Sequence, residues 1–162
     1  MTNNASYLAS DTTYRTLSNA LCSKETPEED KSSIVKRMLS LSSDGNELYT
    51  SFCDARFAGA NLNVILPLLN KASDLKYAPA EATLGSYYFD GVPDYEKAAD
   101  LLESAIVDHN SFDTPAKRRL GQCYLEGLGR EKNVEKAQEY IVNAASEGDA
   151  DAKAFLKNNN FP

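Results

Sequence analysis

The fold is decided by a stretch of sequence that occurs twice: residues 80–91 read AEATLGSYYFDG, and residues 116–127 read AKRRLGQCYLEG. The two copies share an alanine, a Leu-Gly pair, a tyrosine and a closing glycine at matching places, 36 residues apart. A period of this length is typical of a repeated pair of helices. The chain is therefore predicted to be a helical-repeat protein.

A second motif follows each copy. Residues 95–105 read YEKAADLLESA, and residues 134–144, 39 positions later, read VEKAQEYIVNA. Small and apolar residues recur in both at spacings of three and four, which is the stripe of an amphipathic helix. Each unit is thus predicted to be two short helices, and the turn between them is three residues shorter in the first unit.

Gly85 and Gly121 lie inside the predicted helices. A helical glycine costs about 1 kcal/mol relative to alanine, so it is expected where a second helix crosses too closely to admit a side chain. The facing surface would be formed by small residues of the second helices: Ala98, Ala105, Ala137 and Ala144.

The repeat pattern weakens towards the N-terminus. We predict one domain over residues 1–162, built from an N-terminal helix pair (5–42), a degenerate repeat (46–76), two clear repeats (79–108 and 114–148) and a C-terminal cap and tail (149–162). Its first helix is predicted over about residues 6–21, and a capping box is predicted at Thr26. Asp94 and Asn133 are expected to cap the second helices of the clear repeats, and Gly148 to end the last one.

The repeated residues resemble the Sel1-like repeat family, whose units are short relatives of the tetratricopeptide repeat. The second unit departs from that pattern at Arg130 and Asn133, and the first unit has a shorter turn without its second glycine. The matching residues of the second unit are Ala116, Leu120, Gly121, Tyr124, Gly127, Gly129, Lys136, Ala137, Ala144, Ala145 and Gly148.

This resemblance implies an all-α fold, a right-handed superhelix (α-solenoid) of antiparallel helix pairs. It also implies a binding scaffold or adaptor without chemistry of its own. Members of the family include virulence and signalling adaptors, and some neutralise secreted bacterial toxins as immunity proteins. The fold alone does not choose among these roles.

The overall charge argues against a nucleic-acid partner. The chain has 24 acidic and 17 basic residues, a formal net charge of −7, which opposes binding to phosphate backbones. Its longest apolar stretch, residues 64–69, is too short to span a bilayer. Because no signal peptide is visible, the protein is expected in the cytoplasm, or in the periplasm or outside the cell if a leader has been removed.

Residues suited to catalysis are few. His109 is the only histidine and lies in the polar connector between the clear repeats, where a solvated loop is the simpler interpretation. A metal site or an enzyme centred on His109 is the less favoured alternative. The three cysteines fit neither a zinc motif nor a disulfide framework and are interpreted as buried or half-buried thiols, with one disulfide as the alternative. We predict no enzyme activity and no cofactor.

A partner protein is predicted to bind between the packing positions of the first helices, which line the inner surface in related repeats. Phe89 and Leu125 would be apolar anchors or, alternatively, would only close the core between repeats. The basic run 117–119 would either seat an acidic partner or form a solvated helix face. A charge reversal at Arg118 is expected to weaken partner binding with little effect on stability. The predicted contact residues are Ser86, Phe89, Asp90, Arg118, Gln122, Leu125 and Glu126.

Within this scaffold function, small size and acidity favour an inhibitor or immunity protein of a secreted toxin over a regulatory or assembly adaptor. The sequence does not name the partner.

Overall fold

The computed structural model describes residue 9, residues 11–106 and residues 114–158. Within these residues the chain forms helices and no strand, so the predicted all-α repeat fold is confirmed. The helices are α1 (Tyr14–Cys22), α2 (Glu28–Leu41), α3 (Gly45–Phe57), α4 (Leu62–Asp74), α5 (Ala78–Asp90), α6 (Tyr95–Ala105), α7 (Thr114–Glu126), α8 (Val134–Ser146) and α9 (Ala150–Asn158).

Crossing a membrane would require a longer and more apolar helix than any found in the described part of the chain. The chain divides into two compact units, Met1–Ala80 and Glu81–Pro162, and the single domain stays a prediction. Each unit is described below by itself.

The first unit contains α1–α4. Helix α1 contacts α2 and α3, and α4 contacts α2 and α3. The Tyr14 hydroxyl on α1 donates to Ser51 Oγ on α3 at 3.0 Å, and burial, the largest cause, raises the pKa of Tyr14 to about 12. The core of this unit is formed by fully buried side chains, among them Leu17, Ile34, Met38, Leu48, Phe52, Ile65 and Leu68.

The second unit is held together by the helix crossings that the glycines predict. A Cβ atom on Gly121 would lie 2.6 Å from Ile141 Cγ1 on α8 and 3.2 Å from the Ala137 carbonyl oxygen. At Gly85 the corresponding distances are 2.9 Å to Leu102 Cγ and 3.2 Å to the Ala98 carbonyl oxygen. The first helix of each repeat therefore approaches its second helix too closely for any side chain at these two positions.

The repeated tyrosine and lysine contact each other within each repeat. Lys97 Nζ lies 4.2 Å from the ring centroid of Tyr88, and Lys136 Nζ lies 4.9 Å from that of Tyr124. Cations at such distances from an aromatic face are attracted by the ring quadrupole. These cation–π pairs join the first helix to the second helix and explain why both residue types recur in the motif.

The Gly-x-Gly turn of the second repeat, residues 127–129, contacts the first repeat through its second glycine, Gly129. Gly129 has a positive φ of 65°, and a Cβ atom there would lie 2.2 Å from the Tyr95 carbonyl oxygen at the start of α6. Only glycine fits this approach. The second glycine of the motif is thus required by a contact between repeats.

The predicted N-caps of α6 and α8 and the predicted stop after α8 are confirmed in the second unit. The side chains of Asp94 and Asn133 accept hydrogen bonds from the backbone N–H groups of Lys97 and Lys136, and Gly148 follows α8 with a φ of 111°.

Two predicted helix starts in the first unit need correction. In the described residues α1 begins at Tyr14, behind the capping residue Thr13, rather than near residue 6. The capping box at Thr26 is wrong, because Pro27 occupies the N-cap position and no side chain caps α2. Thr26 thus precedes the cap position from which a hydroxyl reaches the first amides.

We predict that Gly121→Leu lowers the free energy of unfolding by about 3 kcal/mol, because the side chain would have to displace Ile141 or the α8 backbone. Urea denaturation measures the change. The control is Ala154→Leu, the same enlargement at an exposed helical position. Equal unfolding midpoints for the two variants would show that the crossing tolerates a side chain.

Candidate protein-binding face

Helices α5 and α7 occupy the same register of the repeat, since they begin at residues 78 and 114 and end at residues 90 and 126. This equivalence pairs most of the predicted contact residues by position: Ser86 with Gln122, Phe89 with Leu125, and Asp90 with Glu126. We call the seven predicted residues the α5–α7 face: Ser86, Phe89, Asp90, Arg118, Gln122, Leu125 and Glu126.

The polar residues of the α5–α7 face differ in exposure. Asp90 and Glu126 are exposed, whereas Ser86, Gln122 and Arg118 are half-buried. The Ser86 hydroxyl donates to the Ala82 carbonyl oxygen at 2.8 Å, within its own helix. The carboxylates at the C-terminal ends of the two helices are therefore the most accessible polar groups of the face.

The two apolar residues of the face also contribute to the core. Phe89 and Leu125 both pack against the buried cluster that includes Leu120 and Cys123, and both remain partly exposed. The Phe89 ring also contacts the Tyr95 ring edge-on, with centroids 5.6 Å apart. Core packing thus fixes their position while leaving part of each side chain accessible.

The basic run on α7 is used within the second unit. Lys117 Nζ pairs with Glu147 at 2.5 Å, and Arg119 donates to Asp90 from Nε at 2.8 Å and Nη2 at 2.5 Å. Lys117 is only 4% exposed. The interpretation of this run as a solvated helix face is therefore wrong for Lys117, whereas binding of an acidic partner stays a prediction. Successive residues on a helix point in different directions, and each of these three residues pairs with its own carboxylate.

Arg118 joins α7 to the start of α9. Its Nε lies 3.2 Å from Asp149 Oδ1, and its Nη2 lies 3.3 Å from Asp151 Oδ2. Asp149 in turn accepts a hydrogen bond from the Ala152 backbone N–H at 2.6 Å. Arg118 also approaches Gln122 Oε1 at 3.5 Å. The expectation that reversing Arg118 leaves stability unchanged therefore does not fit these contacts.

Arg130 forms a second ionic network that the sequence analysis missed. It donates to both carboxylate oxygens of Glu103 at 3.2 and 2.9 Å and to Asp100 at 2.5 Å, and Tyr124 also donates to Glu103. Hydrogen bonds from Arg130, the largest cause, lower the pKa of Glu103 although burial opposes them. The departure from the family pattern at Arg130 was the sequence feature that could have indicated this network, because the arginine contacts α6 of the preceding repeat.

Two clefts of the second unit are lined by residues outside the α5–α7 face. One, of about 290 Å³, is lined by Ile106, Lys117, Glu139, Tyr140, Asn143 and Glu147. The other, of about 330 Å³, is lined by Tyr124, Arg130, Glu131, Lys132, Asn133 and Lys136. Neither cleft is lined by a residue of the α5–α7 face.

The histidine and the cysteines are the residues with reactive side chains that the sequence analysis considered for chemistry. His109 lies in 107–113, outside the described residues. In the described part of the chain, no group of three His, Cys, Asp or Glu side chains could hold a metal ion. Cys123 is a buried thiol whose pKa is raised by burial to about 11, and Cys22 and Cys53 are half-buried.

Comparisons with known proteins support the repeat assignment. The Sel1 repeat model matches residues 78–106 and 114–149. A crystal structure of a Sel1 repeat protein from Oxalobacter formigenes aligns with 93% of this chain at a TM-score of 0.59 and 20% identity. At this identity the likeness shows the fold alone, and the chain spans 65% of that protein's length. A search of curated proteins finds no match.

We expect Arg118→Gln to loosen α9. Losing the pairs with Asp149 and Asp151 should speed amide hydrogen exchange over residues 150–158 by about five- to tenfold, which corresponds to about 1 kcal/mol for a partly buried ion pair. Exchange measured by mass spectrometry tests this. Lys153→Gln removes the same charge from an exposed position on α9 and serves as control. Unchanged exchange in Arg118→Gln would mean that these pairs do not hold α9.

We expect Arg130→Met to lower the free energy of unfolding by about 1–2 kcal/mol at pH 7. This range is smaller than for a fully buried pair because solvent screens the partly exposed carboxylates. Because the folded pKa of Glu103 lies below its unfolded value of about 4.3, this stabilisation is present above that pH. It is lost as the pH falls through the folded pKa. Urea denaturation at pH 7 and pH 3 should therefore show a smaller difference between the variant and wild type at pH 3.

Lys132→Met, at an exposed position in the same loop, is the control for Arg130→Met and should change stability little at either pH. A difference between Arg130→Met and wild type that is the same at pH 7 and pH 3 would contradict the assigned role of Glu103.

Proposed function

We propose that the chain is a non-catalytic scaffold that binds a partner protein through the α5–α7 face, because residues 78–106 and 114–149 match the Sel1 repeat and such repeats generally mediate protein–protein interaction. One observation carries this assignment. Two helices in the same register leave Phe89 and Leu125 partly exposed beside the exposed carboxylates of Asp90 and Glu126. Apolar anchors surrounded by polar groups are a common arrangement in protein interfaces.

Within this function we favour an inhibitor, such as an immunity protein that neutralises a secreted bacterial toxin. The net charge of −7 supports this choice, since acidity suits the capture of a basic target protein. A regulatory or assembly adaptor in signalling or virulence is the alternative. Capture from the source organism distinguishes the two roles: an inhibitor should retain one dominant toxin, and an adaptor a set of signalling or envelope proteins.

An enzyme or metal protein centred on His109 is a third candidate from another class. Metal analysis of protein purified without chelators tests it directly. A stoichiometric metal that is lost in His109→Ala would replace the scaffold assignment, whereas unchanged partner binding by that variant would support it.

We predict that a photoreactive amino acid at Ser86 or Gln122 will crosslink the same partner in cells of the source organism, because these positions share one register of the face. The matched control is the same amino acid at Val142, an exposed position on α8. Mass spectrometry identifies the product. A crosslink formed only from Val142 would place the interface on α8 and remove the α5–α7 face from the proposal.

A further inference from the structure

The ion pairs of the second unit are asymmetric in exposure. In each of three pairs the arginine side chain is mostly covered, and its carboxylate partner is mostly exposed to solvent. The exposed fractions are 17% for Arg119 and 54% for Asp90, 16% for Arg118 and 79% for Asp151, and 18% for Arg130 and 68% for Asp100. Asp149, the other partner of Arg118, is buried and caps α9. Partners approaching these pairs therefore meet carboxylate oxygens before they meet guanidinium groups.

This asymmetry determines the charge that the α5–α7 face presents. Residues 81–162 contain 15 of the 24 acidic residues and 9 of the 17 basic residues. The face's own arginine, Arg118, is largely covered, and the adjacent Arg119 is held by Asp90. Glu126 is exposed and joins no ion pair among the described residues. The face is consequently acidic although α7 carries three consecutive basic residues.

We propose that the occupant of the α5–α7 face is a basic segment of the partner protein. Its lysine or arginine side chains would pair with Asp90, Glu126 and the neighbouring Asp151. An apolar side chain of the same segment would pack on the accessible parts of Phe89 and Leu125. This inference rests on the proposed scaffold function and adds the chemistry of the partner.

The geometry of Asp90 makes it a suitable contact for a cation. Both hydrogen bonds from Arg119 go to Oδ2, so Arg119 does not use Oδ1. A carboxylate has about four acceptor sites, and one fixed in place by an arginine loses less conformational freedom when a partner binds. Arg119 thus holds Asp90 in position for a second, external cation.

The opposite assignment, an acidic partner bound by the basic run, conflicts with the contacts. None of the three basic side chains is more than 17% exposed, and each pairs with a carboxylate of the same chain: Lys117, Arg118 and Arg119. An acidic segment would have to displace those carboxylates and would meet the exposed charge of Glu126. Complementary potentials favour the basic occupant.

The test uses three synthetic 16-residue peptides that share one pattern of leucines and carry lysine, glutamine or glutamate at six polar positions. Binding to the full chain is measured by fluorescence anisotropy at 150 mM salt. We expect the lysine peptide to bind at least about tenfold more tightly than the other two, corresponding to about 1.4 kcal/mol. No binding of the lysine peptide, or tighter binding of the glutamate peptide, would overturn the inference.

Charge-matched variants locate the interaction. The double variant Asp90→Asn/Glu126→Gln should weaken binding of the lysine peptide at least about fivefold, whereas Glu135→Gln/Glu139→Gln, which removes two exposed charges from α8, should change it less than about twofold. Glu126→Gln alone should weaken binding with an unchanged melting temperature, which separates binding from the loss of the Arg119 pair. Equal weakening by both double variants would show only nonspecific attraction and overturn the inference.

The two proposals can fail separately. Crosslinking from Ser86 and Gln122 together with no preference for the lysine peptide would retain the scaffold and remove the basic partner. A lysine-peptide preference that depends on Asp90 and Glu126, without crosslinking from the face in cells, would remove the proposed function and retain only the charge preference.

Discussion

The second unit depends on the close approach of the two helices within each repeat. At Gly121 there is no room for even a Cβ atom, which would lie 2.6 Å from a side-chain carbon of Ile141. This approach also brings Tyr124 of the first helix within reach of Lys136 on the second. Since α5 and α6 repeat the arrangement around Gly85, the register of the exposed face follows from the register of the buried crossings.

Ion pairs of three half-buried arginines connect further elements of the second unit. Arg119 connects α7 to the end of α5, Arg118 connects it to α9, and Arg130 connects the following loop to α6. Their contribution to stability is modest, and they also determine geometry. Each arginine fixes the position of a carboxylate, and the second unit gains an acidic surface whose groups are partly ordered before any partner arrives.

The sequence predicts those features that depend on local spacing. The repeat interval correctly places α5 and α7, helix caps at Asp94 and Asn133 follow from residue type, and the helical glycines predict close crossings. The ionic contacts were not predictable in the same way, because Asp90, Glu147 and Asp149 are distant from the basic run in sequence and meet it only through tertiary packing. The contact residues themselves could be placed on one face, but their spacing alone does not show which of them bind a partner.

A repeat fold separates the residues that hold it together from those that can vary. The glycines, the alanines and the tyrosine–lysine pairs form the contacts where the helices cross. Ser86 and Gln122 occupy equivalent positions with different side chains, and the helix register is the same in both repeats. Phe89 and Leu125 combine both roles, since core contacts orient side chains that remain partly exposed. Recognition by such a surface requires no cleft, and a change of partner requires substitutions only between the packing positions. Under the proposed function, the exposed carboxylates that pair with no internal cation in the described part of the chain, such as Glu126, serve binding, because charge repulsion among them opposes compact folding and none of the helix crossings requires them.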